Sequence, residues 1–168
     1  ESYEHIICEG EHVSMASFEF VYDQVSTMGG VSKGYAMTGW RIGYIGAPLW
    51  IAKACNKLQG QFTSGVCSIA QRAALAALQG NGESQKIMRD AFLRRRNLIC
   101  NLLKEVEGMK VTIPQGAFYV MPDITCYLGK SYGEMKIKNS DDLALYLLDK
   151  AQVATVGGDA FGAPECIR

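Results

Sequence analysis

The sequence predicts an α/β fold class. Two observations carry this. Short apolar runs with period-two alternation intersperse with longer stretches whose apolar residues recur every three or four positions, and glycine or proline marks most of the breaks between them. Strands and helices alternate in the first half, and a smaller α+β group follows in the second. With 168 residues, 48% apolar and 20% charged, the chain has enough apolar material for one domain, or for parts of two.

Taken in order, residues 5–8 (HIIC) and 21–28 (VYDQVSTM) read as short strands, and Gly29-Gly30 as the turn after the second. Residues 41–46 (RIGYIG) form the next strand, stopped by Ala47-Pro48. From Leu49 to Leu58 the pattern is helical, with Ile51, Ala52, Cys55 and Leu58 on one side, and residues 60–67 make a loop. Ser68 with Gln71 three positions later has the form of a capping box. The stretch behind it, IAQRAALAAL, is apolar nearly all round and predicts a buried helix, ended by Gly80 and Gly82. A helix from Ser84 to Glu107 carries Met88, Phe92, Ile99, Leu102, Leu103 and Val106 along one stripe, with Arg94, Arg95 and Arg96 toward water. It is about twice the usual helix length, which suits an element bridging two domains.

Beyond Gly108, residues 109–113 (MKVTI) and 117–124 (AFYVMPDI) read as strands joined by Pro114-Gln115-Gly116. Ser140 caps a helix whose first turn holds Asp141 and Asp142, where carboxylates favour the positive end of the dipole, and which runs to Lys150. VATV (153–156) is a strand and GGDAFGAPE a loop. The closing Glu165-Cys166-Ile167-Arg168 alternates like a strand just beginning, and with no initiator methionine this suggests a piece of a longer protein.

Seventeen basic residues cancel seventeen acidic ones, so the chain lacks the positive excess that a nucleic-acid or membrane-surface partner requires. No apolar run reaches the roughly 18–20 residues that cross a bilayer. Six cysteines, at 8, 55, 67, 100, 126 and 166, show no CxxC pair or metal-type spacing. They read as reduced thiols of a cytoplasmic protein, packing mostly as small apolar residues. His5 and His12 read as isolated imidazoles, and no metal site is expected.

One stretch carries chemistry: Gly30-Val31-Ser32-Lys33-Gly34-Tyr35-Ala36-Met37-Thr38-Gly39-Trp40-Arg41-Ile42-Gly43. A lysine in a glycine-rich bend can be approached closely, and apolar or cationic neighbours favour the amine that attacks a carbonyl. Ser32 adds a hydroxyl, and Arg41 adds the planar fork that grips phosphate. A nucleophilic lysine with a phosphate-gripping arginine is what a phosphorylated aldehyde cofactor requires.

As a whole the segment resembles the pyridoxal-phosphate lysine signature of class I and II aminotransferases, fold type I, at all fourteen positions. The wording GYAMTGWRIGY is most similar to the prokaryote-type aspartate aminotransferases. The similarity continues through GQFTSGVCSIAQRAALAAL, PQGAFYVMPDI and VATVGGDAFGAPECIR. It implies the C-terminal part of a fold-type-I PLP-dependent transferase large domain at residues 1–100, followed at 101–168 by most of a small α+β domain.

It also implies roles for individual residues. Lys33 would be the catalytic residue, bonded to the aldehyde of pyridoxal 5'-phosphate and later moving the substrate Cα proton. Arg41 and Ser32 would bind the phosphate side, Tyr3 would hydrogen-bond the cofactor's phenolic oxygen, and Arg168 would pair with the substrate α-carboxylate. The family aspartate that meets the pyridine nitrogen would lie immediately before Glu1, and the N-terminal half that completes the pocket lies outside the sequence. Gly29 stands where relatives usually have asparagine, which implies a looser bend and one hydrogen bond lost.

The resemblance implies a homodimer, with the Gln61–Ser64 loop facing the partner subunit, that moves amino groups between aspartate and 2-oxoglutarate, an amino acid and a 2-oxo acid. Aromatic, alanine, kynurenine or prephenate specificity is the alternative, as is a lyase of the same fold, which keto-acid release without an acceptor would reveal. A further reading is non-enzymatic: the 168 residues alone form a folded fragment without turnover. A regulator using the fold as an effector sensor would need a DNA-binding domain outside these residues.

Overall fold

The computed structural model describes residues 1–168 and resolves them into two compact units. One comprises Glu1–Ala91 with Gln115–Ala117, and the other Phe92–Pro114 with Phe118–Arg168.

In the first unit, β1 (Thr27–Gly30) pairs antiparallel with β2 (Gly43–Gly46), in a register that sets Thr27 opposite Gly46 and Gly30 opposite Gly43. The expected strand at 21–28 is thus displaced. Residues Glu19–Gln24 wind into 3-10 turns, in which local bonds such as Val25 N to Tyr22 O (3.2 Å) take the place of a ladder, and pairing begins only at Thr27. Gly29-Gly30 is the end of a strand rather than a turn. Residues 5–8 form no strand: Ile7 makes a single bridge to Gly116, and Tyr3 O accepts from Ile6 N at 2.8 Å in a tight turn.

Helix α1 (Leu49–Phe62) runs one turn past the expected Leu58 and shortens the following loop. Helix α2 (Ser68–Leu78) starts from Cys67, not from Ser68: Ser68 is already helical, and Gln71 Nε2 reaches back to donate to Val66 O at 2.8 Å. This helix is not buried all round. Ala70 and Ala74 are buried, whereas Ile69, Leu75 and Leu78 are exposed, because only the alanine side meets other parts of these 168 residues. Leu49, Trp50, Leu58 and Phe62 leave α1 similarly uncovered. Ile6 and Val31, at 1% and 0% exposure, centre the core of the unit.

Helix α3 (Glu83–Lys104) forms as its periodicity predicts but ends before the expected Glu107, leaving Val106 outside it, and the division between the units falls within it. Arg94 and Arg95 are exposed as expected, while Arg96 is half-buried and its Nη1 donates to Pro114 O at 3.0 Å.

The second unit is built on Ile124, Ile137, Leu143 and Ile167, with Met109, Tyr127, Leu128 and Leu147 packed around them. The expected strands at 109–113 and 117–124 do not form. The chain there pairs at isolated bridges, Lys110 with Asp123 and Asp123 with Cys166, and Ala117 N donates to Ile6 O at 2.8 Å. Pro114 and Pro122 lack the N–H a ladder needs, and Ala117 at φ 59° bends the chain out of line. A small hairpin of β3 (Ser131–Tyr132) and β4 (Met135–Lys136) turns at Gly133, at φ 58°.

Helix α4 (Ser140–Ala151) is capped by Asn139, whose Oδ1 accepts from Asp142 N at 2.8 Å; Ser140 is the first helical residue and its hydroxyl is buried. Residues 153–156 are not a strand: only Val156 pairs, exchanging backbone bonds with Arg168 at 2.9 and 2.8 Å. The loop after them contains a 3-10 turn, Gly158–Phe161.

Candidate functional site

The β1–β2 hairpin closes through residues 31–42, and both Lys33 and Arg41 lie on that connection. Val31 anchors it, fully buried: Val31 N donates to Ile42 O at 3.4 Å and Met37 N to Val31 O at 3.3 Å. Beyond that anchor Ser32 and Lys33 enter a turn closed by Ala36 N to Lys33 O at 3.2 Å, which leaves both side chains half-buried. Arg41 sits in the left-handed region at φ 55°, ψ 47°; its Nη1 donates to Thr38 O at 2.9 Å and its guanidinium is exposed.

The N-terminal turn packs on the same place. The His5 ring meets Tyr35 edge-on at 5.1 Å, and a Cβ on Gly34 would lie 2.6 Å from His5 Cδ2. Gly34 is therefore required by space, and its absent side chain lets the turn that bears Tyr3 close against the turn that bears Lys33. Tyr44 adds a third wall. Its ring lies over Gly29, where a Cβ would stand 2.5 Å from Cε2, and burial together with Glu4, Tyr35 and Glu1 raises the phenol above its ordinary pKa. Gly29 is accordingly a strand residue roofed by an aromatic ring, not a loose bend. A glycine directly opposite a tyrosine in a hairpin was the available signal, once the register is known.

His12 is not isolated: its Nε2 lies 3.4 Å from Glu1 Oε2, with Glu4 in the same surface cluster. Cysteines 8, 55, 67, 100, 126 and 166 are all free thiols, but only Cys100 is buried as a small apolar residue, and Cys55 and Cys67 are exposed. The Ala70 and Ile69 amides at the start of α2 lower the Cys67 pKa.

Arg168 belongs to the second unit. Its backbone is fixed by the exchange with Val156, and its Cζ lies over the ring of Phe161 at 4.1 Å and over that of Tyr119 at 4.6 Å. Sequence reasoning passed over both rings, although a single aromatic residue within the glycine-rich GGDAFGAP was a visible mark.

The residues of the 31–42 connection, with Tyr3, offer an amine, a hydroxyl, a phenol and a guanidinium, with no carboxylate among them. That donor set fits a phosphorylated aldehyde. The family model for aminotransferase class I and II matches residues 1–168.

The chain belongs to the class I and II aminotransferases.

Members of this aminotransferase family depend on pyridoxal phosphate. The chain is 49% identical to the bifunctional aspartate aminotransferase and glutamate/aspartate-prephenate aminotransferase of Petunia hybrida, which covers 100% of this chain and 36% of that protein. It is 42% identical to the aspartate aminotransferase of Pinus pinaster, over 100% of this chain and 35% of that protein. Among solved structures, the aspartate aminotransferase of Rhizobium meliloti superposes with a TM-score of 0.93 at 41% identity, over 99% of this chain and 42% of its own. The aromatic aminotransferase of Pyrococcus horikoshii gives 0.90 at 34%, over 99% and 43%. The chain thus spans about two fifths of the length of the aminotransferases it matches, and its α/β architecture is theirs. No helix is long and apolar enough to cross a membrane.

Proposed function

We propose that this chain is part of an aminotransferase subunit that exchanges amino groups between aspartate and 2-oxoglutarate. The observation that carries the reading is the 31–42 connection. It presents Ser32, Lys33 and Arg41 on one rigidly anchored loop, against the turn that bears Tyr3.

Pyridoxal phosphate, when bound, supplies the electron sink that makes a substrate Cα proton removable. The chain's own residues do the rest. Arg41 and the Ser32 hydroxyl would hold the phosphate group by charge-assisted bonds. The Lys33 amine would hold the cofactor's aldehyde end, and as a free amine it would be the base that takes the Cα proton. The Tyr3 phenol would donate to the cofactor's phenolic oxygen, and Arg168 would take the substrate α-carboxylate in a paired fork.

Residues 1–100 finish the large cofactor domain and 101–168 form most of the small one. The subunit works as a cytoplasmic homodimer, with the Gln61–Ser64 segment toward its partner. The 168 residues alone do not turn over substrate. Prephenate amination is the second reading, favoured by the name of the Petunia relative.

The test is intact mass before and after borohydride reduction with pyridoxal phosphate, followed by peptide mapping. A phosphopyridoxyl adduct on Lys33 of the full-length subunit is the expected result, and its absence there overturns the reading.

A further inference from the structure

The two rings at Arg168 suggest more than packing. Tyr119 is itself in contact with Phe118 at 4.8 Å, and Phe118 stacks on Phe92 of α3 at 5.0 Å. An unbroken row of rings therefore runs from the helix to the guanidinium. Phe161, the second ring, ends a 3-10 turn locked by Gly158 N to Cys166 O at 2.9 Å and Ala163 N to Gly158 O at 3.0 Å. The arginine's backbone and the loop that bears Phe161 are thus held by one bonded framework, while Tyr119 is held by the row of rings. Ring faces attract a guanidinium but offer no oxygen acceptor, so its N–H edges keep their demand for a carboxylate. Holding the long side chain against two rings also removes, before binding, rotamer freedom that a ligand would otherwise have to restrict.

We propose that Phe161 and Tyr119 are positioning residues that set the α-carboxylate specificity of Arg168. The inference rests on the reading that Arg168 binds that carboxylate.

The experiment uses the full-length holoenzyme and the variants Phe161→Leu, Tyr119→Leu, Phe161→Tyr and Arg168→Gln. Aspartate is compared with 3-aminopropanoate, which lacks the α-carboxylate, and calorimetry gives the Kd of succinate, a dicarboxylate that does not react. Phe161→Leu and Tyr119→Leu should each reduce the preference for aspartate about fivefold to tenfold, the scale of one cation–π contact. The loss should fall on KM with kcat within about twofold, the succinate Kd should rise in parallel, and Phe161→Tyr should restore both. A general packing defect would instead weaken both substrates alike and leave their ratio unchanged. If Arg168→Gln collapses the preference and neither leucine variant moves it, the positioning role is overturned while the Arg168 reading stands. If Arg168→Gln leaves the preference intact, the Arg168 reading itself fails.

Discussion

Replacing Gly158 with alanine places a methyl carbon 1.9 Å from the Ala163 carbonyl oxygen and 2.5 Å from that of Cys166. Both obstacles are backbone atoms, so no side chain can swing aside. Relief requires the two loop strands to part, which breaks the Gly158 N to Cys166 O bond at 2.9 Å and the Ala163 N to Gly158 O bond at 3.0 Å. Two buried bonds at about 1 kcal/mol each, with overpacking of about 1–3 kcal/mol, give a loss of about 3–5 kcal/mol. Gly162, four residues on, is a control with a different physics. It sits at φ 71° with open space around it, so alanine there should cost only the left-handed strain, about 1–2 kcal/mol. Urea unfolding of both variants measures the difference, and amide exchange at Gly158 and Ala163 locates it. A Gly158→Ala protein that loses less than about 1 kcal/mol, or less than Gly162→Ala, would refute the steric argument.

The cap of α4 is decided by a pair of substitutions. Asn139→Ala should cost about 1 kcal/mol by removing the acceptor for Asp142 N, whereas Ser140→Ala should be neutral or slightly stabilising in a thermal melt, since its buried hydroxyl makes no hydrogen bond. Cys67 should alkylate at lower pH than an ordinary thiol such as glutathione: amides that favour the thiolate lower its pKa, so the reactive form persists as pH falls, and mass spectrometry of a pH series with iodoacetamide reads the midpoint.

The helices were legible because their determinants are local. The spacing of Ile51, Ala52 and Cys55 needs no partner to be read, and the acidic first turn of α4 announces itself. Caps slipped by one residue at both α2 and α4, because Ser68 and Ser140 look like caps until the chain geometry shows that they are already helical and that the non-helical cap position belongs to Cys67 and Asn139. Strands were poorly legible. Their existence depends on a partner strand, and in Met109–Ile113, Ala117–Ile124 and Val153–Val156 the alternation is present while the ladder is not.

The fourteen-residue signature, and with it the family and the candidate roles of Lys33, Ser32 and Arg41, was legible without coordinates because side-chain chemistry at fixed spacing survives without them; the candidate roles of Tyr3 and Arg168 came from the wider family resemblance. That Gly34 admits His5, that Gly29 lies under Tyr44, and that Phe161 and Tyr119 lie against Arg168 follows from the folded backbone alone. Most of these contacts join residues 15 or more positions apart, and even Phe161 meets Arg168 only because the loop between them closes on itself; no local pattern encodes a contact that exists only after the backbone has closed.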